Sequence, residues 1–255
     1  MSTEIEKKIT RFLDEHKAGT VCLASWLDNL GISRDLQKRY RKSGWLESIG
    51  TGAFKRPKDL INWHGGLYAL QFQANLPIHA GALTALSMQG FAHYLRSDKE
   101  KIFLFSPLKT TLPKWFKKYD WQNPVESIRT SFLELDSGLT EFKEKNFSIK
   151  ISAPERAILE CLYLSPEKID LVECYQIMEG LTNLRPALLQ ELLETCKSIK
   201  VKRLFLYMAE KASHQWLDFI DRTKINLGKG HRSIVKNGVY IADFDISIPQ
   251  ELAEL

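Results

Sequence analysis

Apolar residues recur at helical spacing from the start of the chain. Ile5, Ile9, Phe12 and Leu13 share one face of a helix expected over residues 4–17, and Ala18-Gly19 ends it. Thr20 is expected to N-cap a second helix whose apolar face is Leu23, Trp26, Leu27 and Leu30. Gly31 then stands where a left-handed residue closes a helix. Ile32 plugs the corner, and Ser33 caps a third helix from about Arg34 to Ser43. On that helix Leu36 and Tyr40, with Ser43 beside them, form the inner face. Arg34, Gln37, Lys38, Arg41 and Lys42 fill the opposite arc, and Arg39 lies at the rim. Trp45-Leu46-Glu47-Ser48-Ile49 then alternates as a short strand, Gly50-Thr51-Gly52 turns, and Ala53-Phe54-Lys55-Arg56 returns until Pro57 stops it. Helix, glycine turn, capped basic helix and basic hairpin follow one another in the order of a winged helix-turn-helix.

The remaining three quarters read as mixed α+β. Ile102-Phe103-Leu104-Phe105 is a buried strand, and Ser127–Leu133 and Phe147–Ile151 are two more. From Pro154 to about Ile220 the period is helical. Pro154 suits the first helical position, and Pro166, Gly180 and Pro186 are the breaks. Val239-Tyr240-Ile241 and Phe244–Ile248 form a closing hairpin. The expected fold class is α+β, with an N-terminal winged helix-turn-helix and connector over residues 1–92 (core 4–58) and a larger mixed α+β domain over 93–255.

Charge sharpens this picture through its distribution. The net charge of +5 says little by itself. Between Gly31 and Lys58, however, eight basic residues face only Asp35 and Glu47, whereas acidic residues dominate from Ser152 to Thr195. Basic residues return after Lys197. A helix with one apolar seam and a long-reach basic face suits the major groove of double-stranded DNA. Arginine donates two hydrogen bonds to guanine, glutamine bonds adenine through both its polar atoms, and lysine meets phosphate. The residues expected at DNA are therefore Ser33, Arg34, Gln37, Lys38, Arg41 and Lys42, with Lys55 and Arg56 in the wing. Lys200, Lys202, Arg203, Lys229 and Arg232 are expected to form a second functional surface, with nucleic acid as one candidate partner. Leu112–Lys118 interleaves aromatic and basic residues. Stacking on bases is one reading of it, and a turn with its aromatics in the core is the favoured one.

Several segments together resemble the AbiEi antitoxins, the regulatory half of AbiE-type (type IV) toxin–antitoxin systems. The first stretches are Leu23-Ala24-Ser25-Trp26-Leu27, Gly31-Ile32-Ser33, Ser43-Gly44-Trp45-Leu46 and Gly50–Pro57. Trp63–Leu70, Pro77–Leu86 and Gly90-Phe91-Ala92-His93-Tyr94-Leu95 follow, then Ser152-Ala153-Pro154-Glu155-Arg156-Ala157, Arg203-Leu204 and Leu227–Arg232. The resemblance spans nearly the whole chain. It implies repression of the protein's own operon through inverted repeats, and a C-terminal domain that counteracts a cognate nucleotidyltransferase toxin.

Little in the sequence argues for catalysis. The six histidines are scattered, and no metal-binding, Walker, dinucleotide or nucleophile-elbow motif occurs. Gly228-Lys229-Gly230-His231-Arg232 reads as a basic turn, with phosphate cradling by its amides as the alternative. No cofactor and no metal are expected. The four cysteines, Cys22, Cys161, Cys174 and Cys196, sit in apolar patterns and are expected as buried thiols. No signal-peptide pattern and no apolar run near the ~20 residues of a membrane span occur, so the expected compartment is the cytoplasm. Two other readings remain. One is a protein-interaction module that uses the winged helix for docking. The other is a metal-dependent nuclease built on Asp136, Glu141 and Lys143.

Overall fold

The computed structural model describes residues 2–91 and 100–255, with side chains from Lys8 onward. Ala92, His93, Tyr94 and Leu95, and the expected boundary between residues 92 and 93, lie outside the described residues, as does the side chain of Ile5. The chain forms two compact units. The first comprises Met1–His79, Asp98–Arg129 and Glu141–Lys150, and the second Ala80–Ser97, Thr130–Thr140 and Ile151–Leu255.

The first unit begins with a winged helix. Helix α1 (Ser2–Glu15), strand β1 (Cys22–Leu23), α2 (Ala24–Asn29), α3 (Arg34–Lys42), β2 (Glu47–Gly50) and β3 (Ala53–Lys55) follow in that order. Gly31 has φ +81° between α2 and α3, and the Ser33 hydroxyl accepts the Leu36 N–H at 3.4 Å. Both are as the sequence requires. Thr20 does not cap α2. Its hydroxyl donates to the Lys17 carbonyl at 2.6 Å, and Leu23 is the residue before the helix. Residues 22 and 23 instead pair with β3, giving an antiparallel sheet in the order β1-β3-β2. The Gln73 side chain completes the outer edge of β1, accepting the Leu23 N–H and donating to the Val21 carbonyl, each at 2.8 Å. Phe12, Leu27, Ile32, Tyr40, Leu46 and Phe54 meet in the core of this module.

The rest of the first unit supports the winged helix. Helix α4 (Trp63–Tyr68) carries Gly65, where a Cβ atom would lie 2.0 Å from the Gly19 carbonyl oxygen, so only glycine permits that approach. A π-helical turn, Ala69–Gln73, follows. Strands β5 (Ile102–Ser106) and β6 (Val125–Arg129) belong to this unit, whereas the residues of β4 (His79–Ala80), β7 (Leu139–Lys143) and β8 (Ser148–Ser152) are divided between the two units; the strand order is β6-β5-β4-β8-β7. Strands β5 and β6 are parallel, with Ile102 opposite Val125. Every residue of β5 is buried, which explains its unbroken apolar run. The strand expected at Ser127–Leu133 is β6, which ends at Arg129, and β7 went unexpected because Leu139–Lys143 is a half-exposed, weakly apolar run.

The second unit packs α5 (Ala82–Met88), α7 (Pro154–Leu164), α8 (Leu171–Gly180), α9 (Pro186–Thr195) and α10 (Ile199–Lys211), whereas α6 (Lys114–Lys118) belongs to the first. Strands β9 (Arg232–Ser233), β10 (Val239–Ile241) and β11 (Ile246–Ile248) form a small sheet ordered β10-β11-β9, and α11 (Gln250–Glu254) ends the chain. Strands β10 and β11 are the expected antiparallel pair. Helix α7 is buried on nearly every side, charged residues included. Glu160 accepts the Arg156 Nε–H at 2.8 Å, the Ser152 hydroxyl at 2.7 Å and the Ala82 N–H at 3.0 Å. Arg156 also donates to the Glu134 and Ser137 carbonyls at 2.7 and 2.6 Å. Glu155 takes three hydrogen bonds from Arg185. Burial alone would push its carboxyl up, but those bonds prevail and hold it below the usual carboxylate value. Removing one partner of such a network leaves a buried charge without compensation. Arg156→Ala is therefore expected to destabilise the protein by about 3–5 kcal/mol, read as a lower urea midpoint. An unchanged midpoint contradicts the role given to this pair.

Candidate nucleic-acid interface

The face of α3 turned to solvent is set by what the helix buries. Leu36 is half-buried, Tyr40 is buried, and Gln37 is only 2% exposed. The Gln37 Nε2 group lies 3.0 Å from the Ala24 carbonyl, 2.8 Å from that of Ile32 and 2.8 Å from Asp28 Oδ1. Gln37 thus clamps α3 to α2 and cannot reach a base, which corrects its expected role at adenine. Ser43 is also displaced from its expected inner position: it is exposed, and its hydroxyl donates to the Arg39 carbonyl at 3.0 Å. The buried arc runs from Leu36 through Tyr40 to Gln37, so the exposed arc centres on Lys38 and Lys42 with Arg34 and Arg41 beside them. Arg39 is exposed on the other rim.

These cations differ in what already holds them. Arg34 Nε lies 2.6 Å from Asp28 Oδ2, so one carboxylate grips both Gln37 and Arg34. The Arg41 guanidinium rests over the Phe54 ring at 5.9 Å, which ties its stem to β3. Lys38 and Lys42 make no ion pair with any described residue. In the wing, Lys55 lies 3.4 Å from Glu47 of the facing strand and is mostly covered. Arg56 is half-buried and Lys58 exposed. Ser33 is exposed at the N-cap. The structure brings Arg34, Lys38, Arg41 and Lys42 onto one helix with Ser33 at its N-cap, and places Lys55 at the end of β3 and Arg56 directly after it.

The segment leaving the wing is fastened from inside. Asp59 Oδ2 accepts the His16 Nε2–H at 3.0 Å and the Gly19 N–H at 3.3 Å. The Cys22 thiol donates to His16 Nδ1 at 3.2 Å. Burial lowers the pKa of His16, outweighing the raising effect of Asp59, and burial pushes the Cys22 thiol far above its ordinary range. Burial holds the thiol of this Cys–His–Asp chain in its protonated form, which suits a structural tie. Sequence reasoning missed it because its three residues are spread over residues 16–59. Helix α6 packs on β2. Its Trp115 and Phe116 are buried, so the basic aromatic segment is the core-facing turn and stacks no bases.

The second expected surface largely dissolves. Lys202 and Arg203 are each 3% exposed. Lys200 Nζ donates to the Tyr163 and Ser165 carbonyls at 2.9 and 2.6 Å, and burial lowers its pKa. The basic run therefore faces inward, because α10 is a core helix on which Lys200 and Arg203 satisfy carbonyl groups. Lys229 and Arg232 are exposed. Asp136, Glu141 and Lys143 are exposed too, and among the described residues no three His, Cys, Asp or Glu side chains gather as metal ligands. All four cysteines are buried and none is joined in a disulfide. No helix among the described residues is long and apolar enough to cross a membrane.

Helices α1–α3 and the β2–β3 hairpin define a winged helix-turn-helix protein that continues into a larger α+β part. One family profile, described as the N-terminal domain of the transcriptional regulator AbiEi antitoxin, matches residues 5–97. A second, described as the transcriptional regulator AbiEi antitoxin of the type IV TA system, matches residues 99–249. The chain belongs to the AbiEi antitoxin family. Among solved structures it is similar to the RV2827C protein from Mycobacterium tuberculosis, with a TM-score of 0.58 and 13% identity over 95% of this chain and 90% of that one. At that identity the likeness is one of fold. Comparison with curated proteins finds none that matches.

The Gln37 clamp separates a folding role from a recognition role. Gln37→Leu removes the two N–H donors shared among the Ala24 and Ile32 carbonyls and Asp28, and is expected to cost about 1–3 kcal/mol of stability. Chemical denaturation measures that loss. A variant of wild-type stability whose DNA sequence preference has changed contradicts the clamp.

Proposed function

We propose that this AbiEi protein is a DNA-binding autorepressor and antitoxin. Helix α3 enters the major groove of an operator with inverted repeats, and the wing lies on the flanking backbone. Arg34 and Arg41 read bases, Lys38 and Lys42 meet phosphates, and Ser33, Lys55 and Arg56 fix the register. The observation that carries the reading is the exposed basic arc of α3, oriented by a buried clamp and followed directly by a basic hairpin. Family membership supports the wider assignment, in which the C-terminal part opposes a nucleotidyltransferase toxin encoded alongside. The division of labour is placed at residues 1–92 and 93–255, and the site of action in the cytoplasm. The protein acts by binding, and no side chain is assigned a catalytic role.

Operator binding measured by fluorescence anisotropy over a range of salt tests the assignment. Arg41→Ala is expected to lose about 1–3 kcal/mol and to relax discrimination at one base position. Lys55→Ala and Arg56→Ala are expected to weaken all sequences alike and to lower the salt slope by about one each. Wild-type operator affinity in the combined Arg41→Ala/Lys55→Ala/Arg56→Ala protein overturns the DNA-binding reading. The same protein, co-expressed with the neighbouring toxin, is expected to restore growth while failing to repress a reporter of its own promoter. Loss of rescue with intact repression contradicts the division between the two parts.

A further inference from the structure

Arg203 is buried on α10, and its guanidinium is spent on the 227–230 loop and on Asp245 beside it. Nε donates to the Leu227 carbonyl at 2.9 Å, and Nη1 to the carbonyls of Gly230 at 2.8 Å and Asp245 at 2.9 Å. Nη2 donates to Gly228 at 3.3 Å. In a trans peptide the carbonyl and the next N–H point in opposite directions. Drawing the carbonyls of Gly228 and Gly230 inward therefore turns the N–H groups of Lys229 and His231 outward. Neither amide has an acceptor among the described residues, whereas the Gly228 N–H is held by Asn226 at 2.9 Å. Gly228 and Gly230 have φ +64° and +77°, left-handed conformations of the kind that turn successive amides into an anion-binding concavity.

The side chains around the loop match that polarity. Lys229, Arg232 and Lys236 are exposed. The nearby Asp245 carboxylate is balanced by Arg203 at 3.6 Å and accepts the Tyr240 hydroxyl at 3.1 Å. The Tyr240 ring is 56% exposed and meets the His231 ring edge-on, with centroids 5.4 Å apart. His231 is held in turn by the Ser247 hydroxyl at 2.8 Å.

We propose that the Gly228–Arg232 loop is a phosphate-binding site. It takes a phosphate group of a nucleotide or polynucleotide on the outward amides of Lys229 and His231, with the Lys229 and Arg232 side chains balancing its charge. Tyr240 is the surface on which a base stacks. The site is independent of the α3 reading, and either one can fail alone.

The test is a titration of the full chain with inorganic phosphate, AMP and a short single-stranded RNA, followed by the backbone amide resonances of Lys229 and His231. Saturable movement of both is expected. Lys229→Ala/Arg232→Ala and Gly230→Ala are each expected to weaken binding about tenfold or more, the latter while keeping every charge. Tyr240→Ala is expected to weaken AMP and leave phosphate unchanged. Preference for AMP over RNA, or the reverse, tells a free nucleotide from a polynucleotide. Amides unmoved by all three probes overturn the proposal, as does wild-type affinity in folded Gly230→Ala protein. The wild-type resonances decide the matter even if Gly230→Ala does not fold. Operator binding measured on the same samples reports separately on α3.

Discussion

A polar group taken out of water must be given a partner, at a penalty of about 1–3 kcal/mol if it is not. In this chain that constraint organises both units. Gln37 is buried in the first, and three acceptors from α2 and the following turn close around its amide. Arg156, Glu160 and Arg203 are buried in the second, and backbone carbonyls from distant loops converge on the two arginines. The apolar cores drive collapse, but they are non-directional. The buried polar residues fix which way a helix is turned and where a loop sits.

The proposed interface follows from that rule. With Gln37 held inside, α3 can show solvent only the arc around Lys38 and Lys42. Asp28 adds electrostatic order by holding Arg34 near the start of the helix, and Phe54 guides Arg41 from the wing side. The hairpin is steadied in turn by its own cross-strand pair, Glu47 with Lys55, and by the His16–Asp59 tie at its exit.

Much of this architecture was legible in the residues. Gly31 and Ser33 mark the turn of the helix-turn-helix, and Gly50-Thr51-Gly52 marks the wing. The apolar run at Ile102–Phe105 marks a central strand, and Pro154 marks the start of α7. What escaped has a common physical origin. Helix α3 has only two apolar residues, so its rotation depends on Gln37, a residue whose chemistry suits a groove as well as a core. Lys200 and Arg203 look like surface until the carbonyls they satisfy are known, and those lie 24 to 42 residues away for Arg203. Strand β1 is two residues long and has no period to detect. Long-range polar satisfaction is the part of a fold that local spacing does not encode.

The double grip of Asp28 has a consequence for divergence. Gln37 has the chemistry of a base contact, but here it answers to the packing of α2 against α3. Arg34 shares that carboxylate and is the neighbour of the same constraint. On the proposed reading, a change of DNA sequence preference, in evolution or in the laboratory, is therefore channelled to position 41, and a change at 34 must also satisfy Asp28. The recognition alphabet of the helix is smaller than its count of polar residues suggests.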